Sequence, residues 1–126
     1  MTSAPVPEKI DLARAFASFQ ERWSPRIAGQ VNDCHVKLAK LEGEFVWHHH
    51  EHEDELFLVV KGRLVLRLRT GDVELEPGQF LIVPRGVEHC PFAPEECHVL
   101  LFEPVATLNT GNVVNERTRR ELGQLG

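Results

Sequence analysis

The sequence lacks the features that would place it in several common functional classes. Its formal net charge is −5, so no excess of basic residues is available to bind nucleic acid or an anionic lipid surface. One short basic run, residues 116–120, is bracketed by acidic residues and is predicted to be a solvated surface segment. No apolar stretch approaches the length of a membrane span, and the proline-containing N-terminus has no apolar signal-peptide core. We therefore expect neither nucleic acid nor membrane as a partner.

Cysteine and tyrosine are also scarce. The cysteines are odd in number and lack a C-x-x-C pair, so we expect reduced thiols in a cytoplasmic protein, at Cys34, Cys90 and Cys97. The chain contains no tyrosine. Few side chains are therefore available as an acid or base beside a bound ligand, and the candidates are Glu55, His98 and Glu103.

The length and composition are those of one globular domain. The chain has 126 residues, of which 42% are hydrophobic and 26% charged. A chain of this size buries enough core to fold without disulfides or a structural metal. We predict a single domain over residues 1–126, with a flexible lead-in at 1–10, a β-barrel at 31–104 and a C-terminal extension at 105–126. The extension is expected to lie over the barrel or to contact a second subunit.

A short helix is predicted near the N-terminus, from Asp11 to Trp23. Leu12, Phe16 and Phe19 recur with Trp23 at helical spacing, Asp11 caps the start and a proline follows at position 25. From Val31 onward the pattern changes to short alternating strands separated by Gly and Pro turns. Such a series predicts an all-β sandwich or barrel, and the lack of crossover helices argues against a parallel α/β sheet.

Four of the seven histidines fall within residues 48–52. Because strand side chains alternate, His48 and His50 point to one face and His49 to the other. Glu55 follows at the start of an apolar strand, and His89 comes after a later Pro-Arg-Gly turn. Three imidazoles and one carboxylate suit a divalent transition metal (Fe, Mn, Ni, Zn, Co or Cu) and leave positions open for water or substrate.

The sequence also allows two other pairings of these histidines. His50 and His52 also form a His-x-His pair, although this pair lies nearer an acidic turn. His48 and His52 would share one face of a helix, but residues 47–54 show no helical apolar stripe.

These residues carry a resemblance to the cupin superfamily, in particular to small single-domain cupin 2 proteins. The family's first motif reads G-x5-H-x-H-x3–4-E-x6-G. Here Gly43 is followed by four residues instead of five, then by His48 and His50, Glu55 and Gly62. The second motif reads G-x5-P-x-G-x2-H-x3-N. Its first four positions match in register, with Ala93 in place of the closing asparagine; they are Gly78, Pro84, Gly86 and His89.

The resemblance implies a double-stranded β-helix, or jelly-roll, barrel that usually forms a homodimer. It implies that the metal ligands are His48, His50, Glu55 and His89. Three functions follow as hypotheses. The first is a metal-dependent enzyme on a small organic substrate, of oxygenase, isomerase or lyase type. The second is a non-catalytic module that binds or senses a small ligand. The third is a structural dimer with an empty site.

Further residues are candidates for the surroundings of the site. The strand pattern makes Phe57, Val59, Leu66 and Ile82 candidates for the pocket wall, and equally for plain barrel core. His98 is a candidate to line the pocket or to orient a metal ligand from behind. Trp47 is expected to face away from His48.

Overall fold

A computed structural model describes residues 5–120 and 122–125 of the chain. Within these residues lie one helix and eight strands: α1 (Leu12–Ala17), β1 (Arg26–Val31), β2 (Cys34–Glu44), β3 (Glu55–Lys61), β4 (Leu64–Leu68), β5 (Gly71–Leu75), β6 (Phe80–Val83), β7 (His89–Pro104) and β8 (Gly123–Gln124). The prediction of an all-β fold with one short N-terminal helix is confirmed. Residues 1–4 of the predicted lead-in lie outside the described residues, and residues 5–10 form neither helix nor strand. No helix in the described part is long and apolar enough to cross a membrane.

The long strand β7 organises the sheet. It pairs antiparallel with β2 along one edge and with β3 and β4 along the other. Strand β3 also pairs with β6, β4 with β5 and β1 with β2, and β8 lies parallel to β1. β7 begins at His89 and ends next to Glu103, and it brings both of these polar side chains close to Glu55 in the barrel interior.

The interior is filled by one alternate set of side chains from these strands. The most deeply buried members of this core include Val59, Leu64, Leu66 and Val99, each 0% exposed. We call the side of the sheet that carries them the inner face. A second, smaller cluster lies on the outside, where Phe16 and Phe19 pack on Leu38.

The predicted helix is correct at its start and wrong at its end. The Asp11 carboxylate accepts a hydrogen bond from the backbone N–H of Arg14 at 3.1 Å, as a helix cap does. However, the helix ends at Ala17, well before Trp23. The backbone N–H of Trp23 instead donates to the carbonyl of Lys40, and its indole enters the barrel core. Pairing with β2 and burial of this large ring therefore outweigh local helical propensity.

Residues 105–120, which we call the strap, lie against the segment that carries His48 and His49. Asn112 donates its backbone N–H to the carbonyl of His49 at 3.1 Å, and its side-chain oxygen accepts from the N–H of His49 at 2.8 Å. Gly111 is needed at this contact. Its φ is +55°, and an added Cβ would lie 2.2 Å from the His49 carbonyl oxygen.

Candidate metal centre

The fold brings four side chains together that are distant in the sequence. One ligand atom from each of His48, His50, Glu55 and His89 lies within 4.8 Å of the others, and all four residues are buried. His48 and His50 belong to the extended segment before β3. Glu55 and His89 are the first residues of β3 and β7. The two histidine segments are joined by paired backbone hydrogen bonds between His48 and His89, at 2.9 and 3.0 Å.

Two of the imidazoles are oriented from behind by backbone carbonyls. His48 Nδ1 lies 2.9 Å from the carbonyl oxygen of Val46, and His89 Nδ1 lies 3.0 Å from that of Val87. A carbonyl can only accept, so Nδ1 carries the proton in each ring. This assigns the free lone pair to Nε2, the atom that would bind a metal.

The donor atoms fit a shared cation. His50 Nε2 and His89 Nε2 lie 3.2 and 3.3 Å from Glu55 Oε1, yet none of these buried atoms completes a directed hydrogen bond within the described part of the chain. Buried polar atoms without partners are costly to a fold. A divalent ion among three nitrogens and one carboxylate oxygen would remove that cost.

The charge states are also those that a metal requires. Burial, followed by the neighbouring His89, lowers the pKa of His48 to about 4, so its imidazole is neutral near pH 7. Burial opposes ionisation of Glu55. Its contacts with His50 and His89 outweigh that effect and hold the pKa of Glu55 well below the ordinary value. The cluster therefore offers a neutral imidazole at His48 and an ionised carboxylate at Glu55.

A buried ion pair lies beside the cluster. Lys37 Nζ lies 2.9 Å from Glu103 Oε1, and both side chains are 2% exposed. The second oxygen of Glu103 has no donor among the described residues. Burial, together with the charge of Glu55, raises the pKa of Glu103 well above its ordinary value. Lys37 was not predicted to be a site residue. Its position on the same face of β2 as Ala39 and Leu41 was the sequence feature that could have indicated its burial.

A cavity of about 40 Å³ adjoins the cluster. Aromatic and aliphatic side chains form most of its wall, including Trp23, Phe45 and Phe57. His48, Glu55, Glu103 and Asn109 supply the polar part of the lining. The cavity exceeds the volume that a single water molecule needs, ~10–15 Å³ by the same measure. The centre therefore faces a small, mainly apolar space.

The predicted pocket residues divide into three groups. Phe57 lines the cavity, as expected. Val59 and Leu66 are fully buried core residues that do not line it. Ile82 does not line this cavity, because its side chain is 50% exposed on the outer face of β6.

His98 does not reach the centre, which corrects the other pocket prediction. On β7 the inner face carries Val99, Leu101 and Glu103, so His98 points outward. Its ring stacks on Phe16 at 4.6 Å between centroids, and its Nε2 lies 2.8 Å from Glu96.

The same alternation separates the histidines of residues 48–52. His52 is 85% exposed in its side chain, so neither alternative pairing that includes it is formed. Trp47 points away from His48, as expected, and packs under the guanidinium of Arg69 at 3.7 Å.

These features define a β-barrel protein with a buried site of three histidines and one glutamate, and comparison with known proteins agrees. The model of the Cupin_2 family, described as a cupin domain, matches residues 34–103. The chain therefore belongs to the cupin family, and the predicted resemblance is confirmed.

Similar proteins include both curated sequences and solved structures. A cupin-2 domain containing protein from Shewanella frigidimarina is 43% identical, with a TM-score of 0.75 over 75% of this chain and 93% of that one. Protein NMB1881 from Neisseria meningitidis is 28% identical, with a TM-score of 0.71 over 77% and 99%. The uncharacterized protein YdbB of Bacillus subtilis is 39% identical over 61 residues, which are 48% of this chain. The match spans 54%, about half, of that relative's length.

Proposed function

We propose that this protein is a metal-dependent cupin that acts on a small organic substrate. His48, His50, Glu55 and His89 would hold one divalent transition metal. The observation that carries the proposal is the set of buried, unpartnered atoms His50 Nε2, His89 Nε2 and Glu55 Oε1, which converge on one point. Such an ion, when bound, supplies Lewis-acid chemistry and, if it is Fe, Mn or Cu, redox chemistry.

The chain's own residues would bind the substrate and handle protons. The apolar wall of the cavity, including Phe57, would hold the substrate body and exclude water. Glu103 is the candidate acid or base, because its free Oε2 lies in a residue that lines the cavity while Lys37 holds Oε1. Isomerase and lyase reactions that move a proton need an acid or base of this kind beside the substrate.

Metal analysis of protein purified without a histidine tag tests the site. We expect about one divalent ion per chain, and at least ~100-fold weaker binding in His50→Ala, since one of four ligands is lost. His49→Ala is the matched control, because the neighbouring ring is outside the cluster, and it should bind as the wild type does. Wild-type protein that binds no divalent ion, or equal losses in both variants, would contradict the proposal.

A non-catalytic module that binds or senses a small ligand is the second candidate. Two features favour this alternative. The cavity of about 40 Å³ leaves little room for a substrate and a product to exchange, and the strap is hydrogen-bonded to the segment that carries His48 and His49. Incubation of the metal-loaded protein with a panel of small organic acids, sugars and alcohols distinguishes the two. Turnover that is lost in folded His50→Ala supports the enzyme, whereas tight binding without turnover supports the module.

We also propose that the protein forms a homodimer through the outer face of β3, β6 and β7. Strand pairing places six apolar side chains there in two rows: Phe80, Leu58 and Leu100 in one, Ile82, Leu56 and Phe102 in the other. Phe80 and Ile82 are 60% and 50% exposed. A continuous exposed apolar surface of this kind is typical of an interaction site, and a two-fold dimer covers the same patch on both subunits.

Sedimentation of Phe80→Asp tests the dimer. We expect a monomer at concentrations where the wild type is dimeric, because the new charge would be buried without a partner. Val114→Asp introduces the same charge at an apolar strap residue that is 65% exposed, and it should stay dimeric. A monomeric wild type would disprove the interface.

A cytoplasmic location remains a prediction. All three cysteines lie within the described residues and each is a free thiol, which suits a reducing compartment.

A further inference from the structure

Arg117, on the strap, brings a cation to the aromatic end of the cavity. Its Cζ lies 5.5 Å from the ring centroid of Trp23 and 5.8 Å from that of Phe45. These rings are nearly parallel, with an angle of 11° and centroids 4.6 Å apart. Both distances are within the range of a cation–π contact, which uses the positive charge of the guanidinium and none of its N–H hydrogen-bond donors.

The backbone of Arg117 is fixed by side chains on both sides. Its N–H donates to Asn115 Oδ1 at 2.8 Å, and its carbonyl accepts from Asn109 Nδ2 at 2.7 Å. Asn109 Oδ1 in turn accepts from the N–H of Arg119 at 2.8 Å, and Asn109 lines the cavity. Residues 117–119 are half-buried, so the solvated surface segment expected from the sequence is not what this part of the strap forms.

The guanidinium has no anionic partner in the part of the chain that the structure describes. The other strap arginine with side-chain contacts, Arg119, donates to backbone carbonyls, whereas no carboxylate there lies within 4 Å of Arg117. A guanidinium presents a rigid fork of donors that matches a carboxylate in two parallel hydrogen bonds. Arg117 is therefore a cation whose backbone is fixed and whose guanidinium N–H donors have no carboxylate partner among the described residues.

The electrostatics of the interior favour the same kind of ligand. A divalent ion carries more charge than Glu55 neutralises. Lys37 balances Glu103 if that residue is ionised and adds a further positive charge if it is not. Arg117 adds a positive charge beside Trp23 and Phe45, which line the cavity, so the metal-loaded cavity would be electropositive in a chain whose net charge is −5. Its apolar walls require that the ligand also have an apolar part.

We propose that Arg117 is a specificity residue that binds the carboxylate of a small organic acid, whose apolar body lies against Trp23 and Phe45. This inference rests on the proposed function, since it names the substrate class for the same site. The carboxylate would form two hydrogen bonds with the guanidinium, and the rest of the molecule would extend into the cavity toward His48 and Glu55.

Calorimetric binding of matched acids and amides tests the proposal. The probes are benzoate against benzamide and propionate against propionamide, with the metal-loaded protein. We expect wild-type protein to prefer each acid at least ~tenfold, and Arg117→Met to bind the acids ~tenfold or more weakly with little change for the amides. Arg117→Lys should recover part of the loss, because it restores charge without the fork. Arg120→Met, at an exposed strap arginine, is the control and should match the wild type.

Three results would overturn the proposal: no preference for acid over amide, unchanged acid binding in Arg117→Met, or an equal loss in Arg120→Met. Metal content is measured on each protein, and each melting temperature is compared with that of the wild type. If the wild type holds no metal, the proposed function fails. The acid preference of the metal-free protein and its dependence on Arg117 then still decide the role of this residue.

Discussion

The two faces of the sheet differ in a way that is unusual for a small protein. The inner face of β3 and β7 carries Glu55, His89 and Glu103, all buried. The outer face of β3 and its neighbour β6 carries Leu56, Leu58 and exposed Phe80 and Ile82. Sheets with one solvated face usually place apolar residues inside and polar residues outside. This partial reversal is the arrangement that the proposed metal site inside the barrel and the proposed dimer contact outside would require.

The largest expected effect on stability is at the buried ion pair. Lys37→Met should destabilise the protein by about 3–5 kcal/mol, because it leaves Glu103 buried without its partner. Arg67→Met removes the half-exposed pair with Glu44 on the outer face and should cost less than ~1 kcal/mol. Urea unfolding measures both.

A double variant shows whether the stability lost in Lys37→Met comes from losing the ion pair or from leaving Glu103 without its partner. Lys37→Met with Glu103→Leu should recover most of the lost stability, since neither member of the pair is then left buried without its partner. If the single and double variants are equally unstable, packing of the lysine stem and not its charge sets the cost.

Truncation of one apolar side chain on each face compares the inner and outer faces of the sheet directly. Leu66→Ala should cost about 2–5 kcal/mol, because Leu66 is 0% exposed on the inner face and a cavity would remain. Ile82→Ala, on the outer face at 50% exposure, should cost under ~1 kcal/mol in the monomer. Thermal unfolding at low protein concentration compares them, and equal costs would mean that Ile82 is buried in solution.

The smallest effect concerns a buried thiol. Burial raises the pKa of Cys97 from its ordinary value of 9.0 to about 12. In this range the unfolded chain binds fewer protons than the folded chain, so stability falls as pH rises from 9 toward 12. The loss from Cys97 should reach about 1 kcal/mol by pH 10.

Urea unfolding at pH 8 and pH 10 measures this loss, with Cys97→Val as the matched variant that should show a smaller decline. Half-buried Cys34 should react with a thiol reagent in the native protein, whereas Cys97 should react only after unfolding. A wild type and variant with the same pH dependence would show that Cys97 does not contribute.

The sequence predicted the site better than it predicted the surroundings. Strand alternation, a local property, puts His48 and His50 on one face, and the resemblance to the two cupin motifs joins them with Glu55 and His89. Helix α1 was predicted too long. The hydrogen bond from Trp23 to Lys40 of β2, which draws this residue out of the helix, joins residues that are distant in the sequence. Ile82 and His98, which were candidates for the surroundings of the site, lie on the outer face, because a run of apolar neighbours does not reveal which face of a strand is inside.

By itself, the sequence determined the all-β class and the turns, because a strand's period of two and its Gly and Pro turns act over a few residues. The resemblance of its motifs to those of cupins implied the four clustered side chains. Only the tertiary structure decided that Lys37 meets Glu103, that Trp23 leaves the helix for the barrel core and that Arg117 lies beside the cavity. These contacts join residues separated by most of the chain. They depend on the strand order and on the path of the strap, and the free energy that selects both comes from burial of the core as a whole.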